Sequence, residues 1–407
     1  MSSASISPRA ALHHRDFRLF VGMRFISNMA QFVQTVAVGW QVYDLTHQPM
    51  DLGYVGLVLF LPQILLSPIT GAVADRFDRR RVILTCLGIE AVAAALLFWL
   101  SFIGLERVES VFAVLALFGC ARSFLGPAQQ SVVPLLVPKE HFPNAVAWNS
   151  GIWQVAVVAG PALGGALYGF GPDVVYALVT AGLLSSLILG ARIETPLKTK
   201  TEDAPMIERL TAGVRFVWSK PVILGAISLD LFAVLFGGAT ALLPVFARDI
   251  LMIGPVGLGL LRSAPALGAA TCALWLAHHP LRRNAGKVMF FCVAGFGLAT
   301  IVFGLSTNFL LSLGSLVALG AFDMVSVYVR QSLVQLWTPD AMRGRVSAVN
   351  LVFIGASNEL GEFESGMTAA WFGTVPAVLF GGCGTLLVVA LWAWRFKELR
   401  QIDKLES

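Results

Sequence analysis

Stretches of about 20 apolar residues recur along the whole chain, the length a helix needs to cross roughly 30 Å of hydrocarbon. Few folds can absorb such runs. Charged residues make up only 13% of the 407 residues and hydrophobic ones 57%. A soluble domain carries roughly 25% charged residues because all of its surface meets water. Mean hydropathy is +0.76. Isolated strands cannot satisfy their backbone groups in lipid, so the runs are read as helices. Twelve spans are expected, at 18–44, 52–74, 82–103, 111–136, 146–170 and 174–193, then at 221–247, 257–278, 288–306, 309–334, 347–370 and 374–394. Met1 to Asp16 is short, polar and basic, and the run after it continues as a full span, so no cleavable signal is expected.

The basic balance, a net charge of +5, is spread along the chain in a way that excludes a nucleic-acid surface. Arg9, Arg15 and Arg18, the run Arg76 to Arg81, Lys139, the cluster Arg192 to Lys220, Arg282, Arg283, Lys287, Arg343, Arg345 and the tail all fall on one side of the predicted spans. The opposite loops hold only Arg107 and Arg248. The positive-inside rule places both termini in the cytoplasm. The polar stretch 194–220 divides the chain into halves 1–193 and 221–407. Within it, 197–205 reads as loop and Met206 to Trp218 as a helix along the membrane surface.

The halves repeat. Shifting the sequence by 201 residues aligns 119–165 with 320–366 at ten identical positions, among them Gly119/Gly320, Pro138/Pro339, Asn149/Asn350, Gly160/Gly361 and Gly165/Gly366. About three are expected by chance. Span 4 maps onto span 10 and span 5 onto span 11 in the same orientation. Such parallel repeats belong to transporters that rock two halves about a central site.

Between spans 2 and 3 the sequence runs Gly71-Ala-Val-Ala-Asp75-Arg76-Phe-Asp78-Arg79-Arg80-Arg81. Taken alone, it can be a set of cytoplasmic anchors. Its spacing resembles the signature loop of the major facilitator superfamily, Gly-x-x-x-Asp-Arg-x-Gly-Arg-Arg, with Asp78 at the last glycine. Arg122-Ser-Phe-Leu-Gly126 resembles that family's span-4 element, with Leu125 where glutamine is usual. Gly160-Pro161-Ala-Leu-Gly164-Gly165 resembles the motif of its proton-exchanging exporters. Physically, its small residues permit close packing and its proline a bend. The segments Leu242 to Arg248 and Arg330 to Asn350 are similar to the enterobactin-exporter-like and macrolide-efflux-like branch. The resemblance implies an all-α fold of twelve transmembrane helices in two six-helix halves. It also implies a cytoplasmic latch formed by Gly71, Asp75, Arg76, Arg79 and Arg80.

Ionisable residues inside a span cost roughly 2.5–3.5 kcal/mol each at the helix centre, so each needs a reason. Arg24, Arg262 and Arg330 lie near predicted span ends and are expected to snorkel. Glu90, Arg122, Asp230, Asp323, Glu359, Glu362 and Glu364 sit deeper. Arg122 and Asp323 are equivalent under the shift, which predicts that they approach the central axis from opposite halves, either as a fixed pair or as one that breaks during transport. In span 11, helical spacing puts Glu359 and Glu362 on one face with Asn358 and Ser365 beside it, and turns Glu364 elsewhere. Two carboxylates so close in a low-dielectric cavity cannot both ionise easily. A carboxyl that exchanges its proton is what a proton-coupled exporter requires, and Asp230 is a third candidate.

The expected function is secondary active export of an amphipathic small molecule, siderophore-like or drug-like, by a monomer exchanging it for protons. An importer on the same fold and a membrane sensor without a transport cycle are the alternatives. The five cysteines fall in apolar runs without metal spacing, and no phosphate loop, nucleophile elbow or His/Cys cluster is present. No cofactor, metal or enzymatic activity is therefore expected.

Overall fold

The apolar runs fold into twelve long helices in this computed structural model, which describes residues 9–104, 107–197, 206–281 and 283–403. In the first half these are α1 (Arg15–Thr46), α2 (Pro49–Arg76), α3 (Arg79–Phe102), α4 (Val108–Gln130), α5 (Phe142–Tyr168) and α6 (Pro172–Ala191). The second half holds α7 (Pro221–Phe236), α8 (Gly254–His278), α9 (Ala285–Leu305), α10 (Phe309–Leu336), α11 (Asp340–Phe372) and α12 (Thr374–Arg395). Among the described residues, ten spans are long and apolar enough to cross a bilayer. The other two long helices, α1 and α11, are long enough but more polar, since α1 carries Arg24, Asn28, Gln31 and Gln34 and α11 carries its three glutamates.

Two expected spans prove to be broken. Span 4 does not continue to residue 136, because α4 ends at Gln130 and a separate short turn follows at Val133–Leu136. Pro134 explains the stop: its ring would collide with the carbonyl of Gln130, four residues back. Span 7 is α-helical only to Phe236, then continues as a 3-10 turn at Gly238–Leu242 and a π turn at Phe246–Ile250. The Gly237-Gly238 pair marks the break. A Cβ on Gly238 would stand 2.2 Å from the carbonyl oxygen of Gly361 and 2.7 Å from Ser365 Oγ, so the chain passes too close to α11 for any larger residue.

By contacts the chain forms two compact units, one of residues 1–41 and 58–203, the other of 42–57 and 204–407. In the first, α3 packs along α4 and α6. Buried hydrogen bonds tie three of its helices together: Tyr176 Oη donates to Gln41 Oε1 at 2.7 Å, and Gln41 Nε2 donates to Ser101 Oγ at 2.9 Å. In the second, α10 packs between α8 and α9, and α12 lies against α9 and α7. The connector helix (Met206–Ser219) buries Val217 beside Ile223, Ile227, Val334, Val346 and Val349. Of the expected connector loop 197–205, residues 198–205 lie outside the described residues.

The sequence repeat reappears as a repeat of crossings. A Cβ on Gly119 would meet the carbonyl of Leu59 on α2 at 2.8 Å, and one on its equivalent Gly320 would meet that of Pro265 on α8 at 1.9 Å. Gly160 faces Phe32 of α1, and its equivalent Gly361 faces Val234 and Leu235 of α7. Each unit thus brings the same pairs of helices together at the same glycines, the device that lets membrane helices approach closely.

Candidate functional site

Within the second unit, three ionisable side chains converge between α7, α9 and α10. Asp323, Ser326 and Arg330 fall at i, i+3 and i+7, on one stripe of α10. Asp230, Ala233 and Val234 form the matching stripe of α7. Arg330 Nη1 donates to Asp230 Oδ2 in an ion pair whose two members are almost wholly buried. The expectation that Arg330 snorkels is therefore corrected. Its stem does not reach for the membrane surface, because a carboxylate 100 positions away in sequence holds the guanidinium inside. Asp323 interacts electrostatically with both Arg330 and Asp230. Asp230, Asp323 and Ser326, together with Ala233, Val234, Val293 and Phe296, line a pocket with room for about one water molecule. Ser326 Oγ and Arg330 Nε are buried with no hydrogen-bond partner among the described residues.

The glutamates of α11 belong to the same unit and meet a different neighbour. A Cβ on Gly56 would stand 3.0 Å from Glu362 Oε2 and 3.6 Å from Glu359 Oε2. Both carboxylates therefore converge on this glycine near the start of α2. The same stretch of α2 packs Gly53 against Phe363 and Gly366, where a Cβ on Gly366 would lie 2.8 Å from the Gly53 Cα. Tyr54 adds a ring contact with Phe363 at 6.1 Å between centroids. Glu364 accepts from Thr368 Oγ1, one turn along its own helix, at 2.7 Å. Asn358 is exposed while Ser357 and Ser365 are buried.

In the first unit the central group is Glu90 on α3, fully buried. Gln31 Nε2 of α1 donates to its Oε1 at 3.4 Å, and Arg122 of α4 is the cation that acts on it. Its Oε2 has no hydrogen-bond partner among the described residues. Seven residues before Gln31, Arg24 donates to Asn149 Oδ1 of α5 at 2.5 Å. Arg122 and Asp323, expected to approach the central axis from opposite halves, each interact with charges of their own unit.

The signature-loop residues Gly71, Asp75 and Arg76 fall in the last turns of α2, and their side chains lie outside the described residues. Arg79 and Arg80 open α3. Asp78 caps that helix, accepting from the Arg80 amide at 2.9 Å. Arg79 Nη1 donates to the Ser131 carbonyl at 3.2 Å, and Arg80 Nη2 to that of Ala191. Both arginines thereby bind orphaned carbonyls at the ends of α4 and α6, in the manner of a C-terminal cap. Gly160, Pro161, Gly164 and Gly165 of the Gly-Pro motif are buried on α5, where a Cβ on Gly164 would meet the Val33 carbonyl of α1 at 2.8 Å.

Sequence reasoning missed the segment 42–57. Tyr43 Oη donates to Asp249 and Arg248 pairs with Asp44, both within the second unit. The acidic and basic residues there were visible, but their partners lie more than 200 positions away, beyond any local pattern. Among the described residues, no group of three or more His, Cys, Asp or Glu side chains is placed to hold a metal ion.

Comparison with known proteins follows this geometry. A family model described as "Transmembrane secretion effector" matches residues 6–407. The enterobactin exporter of Citrobacter koseri is 27% identical over 390 residues, covering 95% of this chain and 93% of its own. That of Escherichia coli O1:K1 is 25% identical with the same coverage. Among solved structures, a bacterial homologue of the human lysosomal transporter Spinster superposes with a TM-score of 0.73 at 14% identity, over 95% of this chain and 96% of that one. The nucleoside transporter NupG superposes at 0.71 and 15% identity, over 94% and 100%. These likenesses establish the fold.

Proposed function

Because the chain belongs to the transmembrane secretion effector family of major facilitator transporters, we propose that it is a proton-coupled exporter of an amphipathic, siderophore-like or drug-like small molecule. It is a multi-pass secondary transporter and not an enzyme. The observation that carries the coupled reading is a cluster of buried charge: Asp230 and Asp323 lie beside Arg330, which pairs with Asp230. A surplus of carboxylates in hydrocarbon is tolerable when protons neutralise it. Protonation then ties the charge of the interior to whichever side is open, and a ligand shifts such an equilibrium only through differential affinity.

Export, rather than import, is supported by the full-length relation to enterobactin exporters. The cycle is a rocking of halves 1–193 and 221–407 about the connector 194–220, with Asp75 and Arg76 closing the cytoplasmic side and both termini in the cytoplasm. The transporter acts as a monomer in the bacterial inner membrane. Everted membrane vesicles test the direction: with the protein present they accumulate enterobactin or the amphipathic cation ethidium when energised, and vesicles lacking it do not. Accumulation only in right-side-out vesicles would make it an importer.

A further inference from the structure

We propose that the coupling proton is carried by Asp323, in the pocket between α7, α9 and α10, and that Arg330 is the switch that answers its arrival and departure. The proposal rests on the reading of the chain as a proton-coupled exporter and places the coupling away from the glutamates of α11.

The argument starts from charge. The pocket is lined by two carboxylates, Asp230 and Asp323, and the one guanidinium beside it, Arg330, is committed to Asp230. Asp323 is the carboxylate left over, and the cluster carries one net negative charge when both acids are ionised. Asp323 is half-buried, and an uncompensated charge in so apolar a pocket is costly, so the site calls for one monovalent cation.

Two observations, one in the pocket and one beside it, point to a ligand there. Ser326 Oγ lines it, buried and with no hydrogen-bond partner among the described residues. Arg330 Nε is likewise buried and unpartnered. A hydroxyl one turn from Asp323 can accept from its protonated carboxyl or donate to its carboxylate, and so serves both states.

The cation is a proton rather than a metal ion. A hard metal cation needs a shell of oxygen ligands, whereas oxygen enters this pocket only from Asp230, Asp323 and Ser326. The remaining lining is Ala233, Val234, Val293 and Phe296, and Arg330 repels a second cation. The elements packed around the pocket add no other ionisable group to its lining. The membrane-interior ones on α8 and α9 are Arg262, Cys272 and Cys292, and those on α11 are Glu359, Glu362 and Glu364.

The step balances simply. With its proton, Asp323 is a neutral acid and Arg330 pairs with Asp230, so the cluster is neutral. When the proton leaves to water, Asp323 becomes a second anion and competes with Asp230 for the guanidinium. Arg330 then loosens its hold on α7. That hold lies at Asp230, within two turns of the Gly237-Gly238 break, where α7 is already discontinuous and able to bend.

Infrared difference spectroscopy of the purified full chain in nanodiscs tests the site without any substrate. At pH 7 the wild type should show the carbonyl stretch of a protonated carboxylic acid, Asp323→Asn should lose it, and Asp323→Glu should shift it. Ethidium efflux from proteoliposomes then tests coupling. Asp323→Asn should lose at least tenfold of the gradient-driven rate while keeping downhill exchange, and Asp323→Glu should keep coupling. If Asp323→Asn does not insert, the shifted band and retained coupling of Asp323→Glu carry the test. A band unchanged in both variants, or wild-type coupling in Asp323→Asn, would overturn the placement and leave proton coupling standing. A band removed by replacing choline with sodium would overturn the choice of a proton. Wild-type efflux indifferent to the gradient would overturn the exporter reading itself.

Discussion

The phenol of Tyr43 donates to the carboxylate of Asp249, 206 positions along the chain, while its neighbour Asp44 pairs with Arg248. Two adjacent residues at the end of α1 thus grip two adjacent residues at the end of the broken seventh span. Tyr43→Phe should lower thermal stability by about 1–2 kcal/mol, since the lost hydrogen bond has a charged acceptor. A double-mutant cycle between Asp44→Asn and Arg248→Gln should return less than about 1 kcal/mol, because that pair is half exposed. Unfolding of the detergent-solubilised protein, followed by tryptophan fluorescence, measures both.

Arg330 and Asp230 behave differently because both side chains are almost wholly buried. Arg330→Gln alone should cost about 3–5 kcal/mol, the penalty for leaving a buried partner charge uncompensated. Pairing it with Asp230→Asn should restore most of that loss. Yield and melting temperature of the single and double variants check the recovery, and a double variant no better than the single would remove the pair from the account of stability.

Two glycines of α10 should respond with opposite signs. A Cβ on Gly320 meets the Pro265 carbonyl at 1.9 Å, whereas one on Gly314 meets nothing within 4 Å. Gly320→Ala should destabilise by about 1–3 kcal/mol through overpacking. Gly314→Ala should be neutral or stabilising by up to about 1 kcal/mol, from the better helix propensity of alanine. Melting temperatures decide it.

On the predicted cytoplasmic side, Asp16 makes stability depend on pH. Burial acts to raise its pKa, but hydrogen bonds from Thr195 Oγ1 at 2.5 Å and from the amides of Thr195 and Glu194 at 2.7 and 3.0 Å hold it below the usual carboxylate value. A depressed folded pKa contributes stability that is fully present above the unfolded value, about 3.9. That contribution is lost as pH falls through the folded value. Asp16→Asn should therefore lower the melting temperature at neutral pH and converge with the wild type as pH falls through the folded value.

Much of this was legible in the sequence because lipid imposes it. Runs of about 20 apolar residues leave little choice but helices, and the 201-residue shift anticipated that Gly119 and Gly320 do the same job in two places. What escaped was set by tertiary partners. Arg330 lies six residues from the end of α10, where depth alone predicts snorkelling; Asp230 reversed that. The face shared by Glu359 and Glu362 followed from helical spacing, but nothing local pointed to Gly56 as the residue they meet. The Gly237-Gly238 break was readable in principle, since paired glycines punctuate helices, yet the apolar run around them hid it.

The most direct measurement of the central claim is transport by proteoliposomes under a pH jump, with ethidium as the probe and the jump applied in either direction. For a proton-coupled exporter, uphill movement of the probe should run against the imposed proton flow and reverse when the gradient is reversed. With the potential clamped to zero the pH difference alone should suffice, and each proton entering down a potential should add about 2.3 kcal/mol per 100 mV. Probe movement that ignores the sign of the gradient would contradict proton coupling.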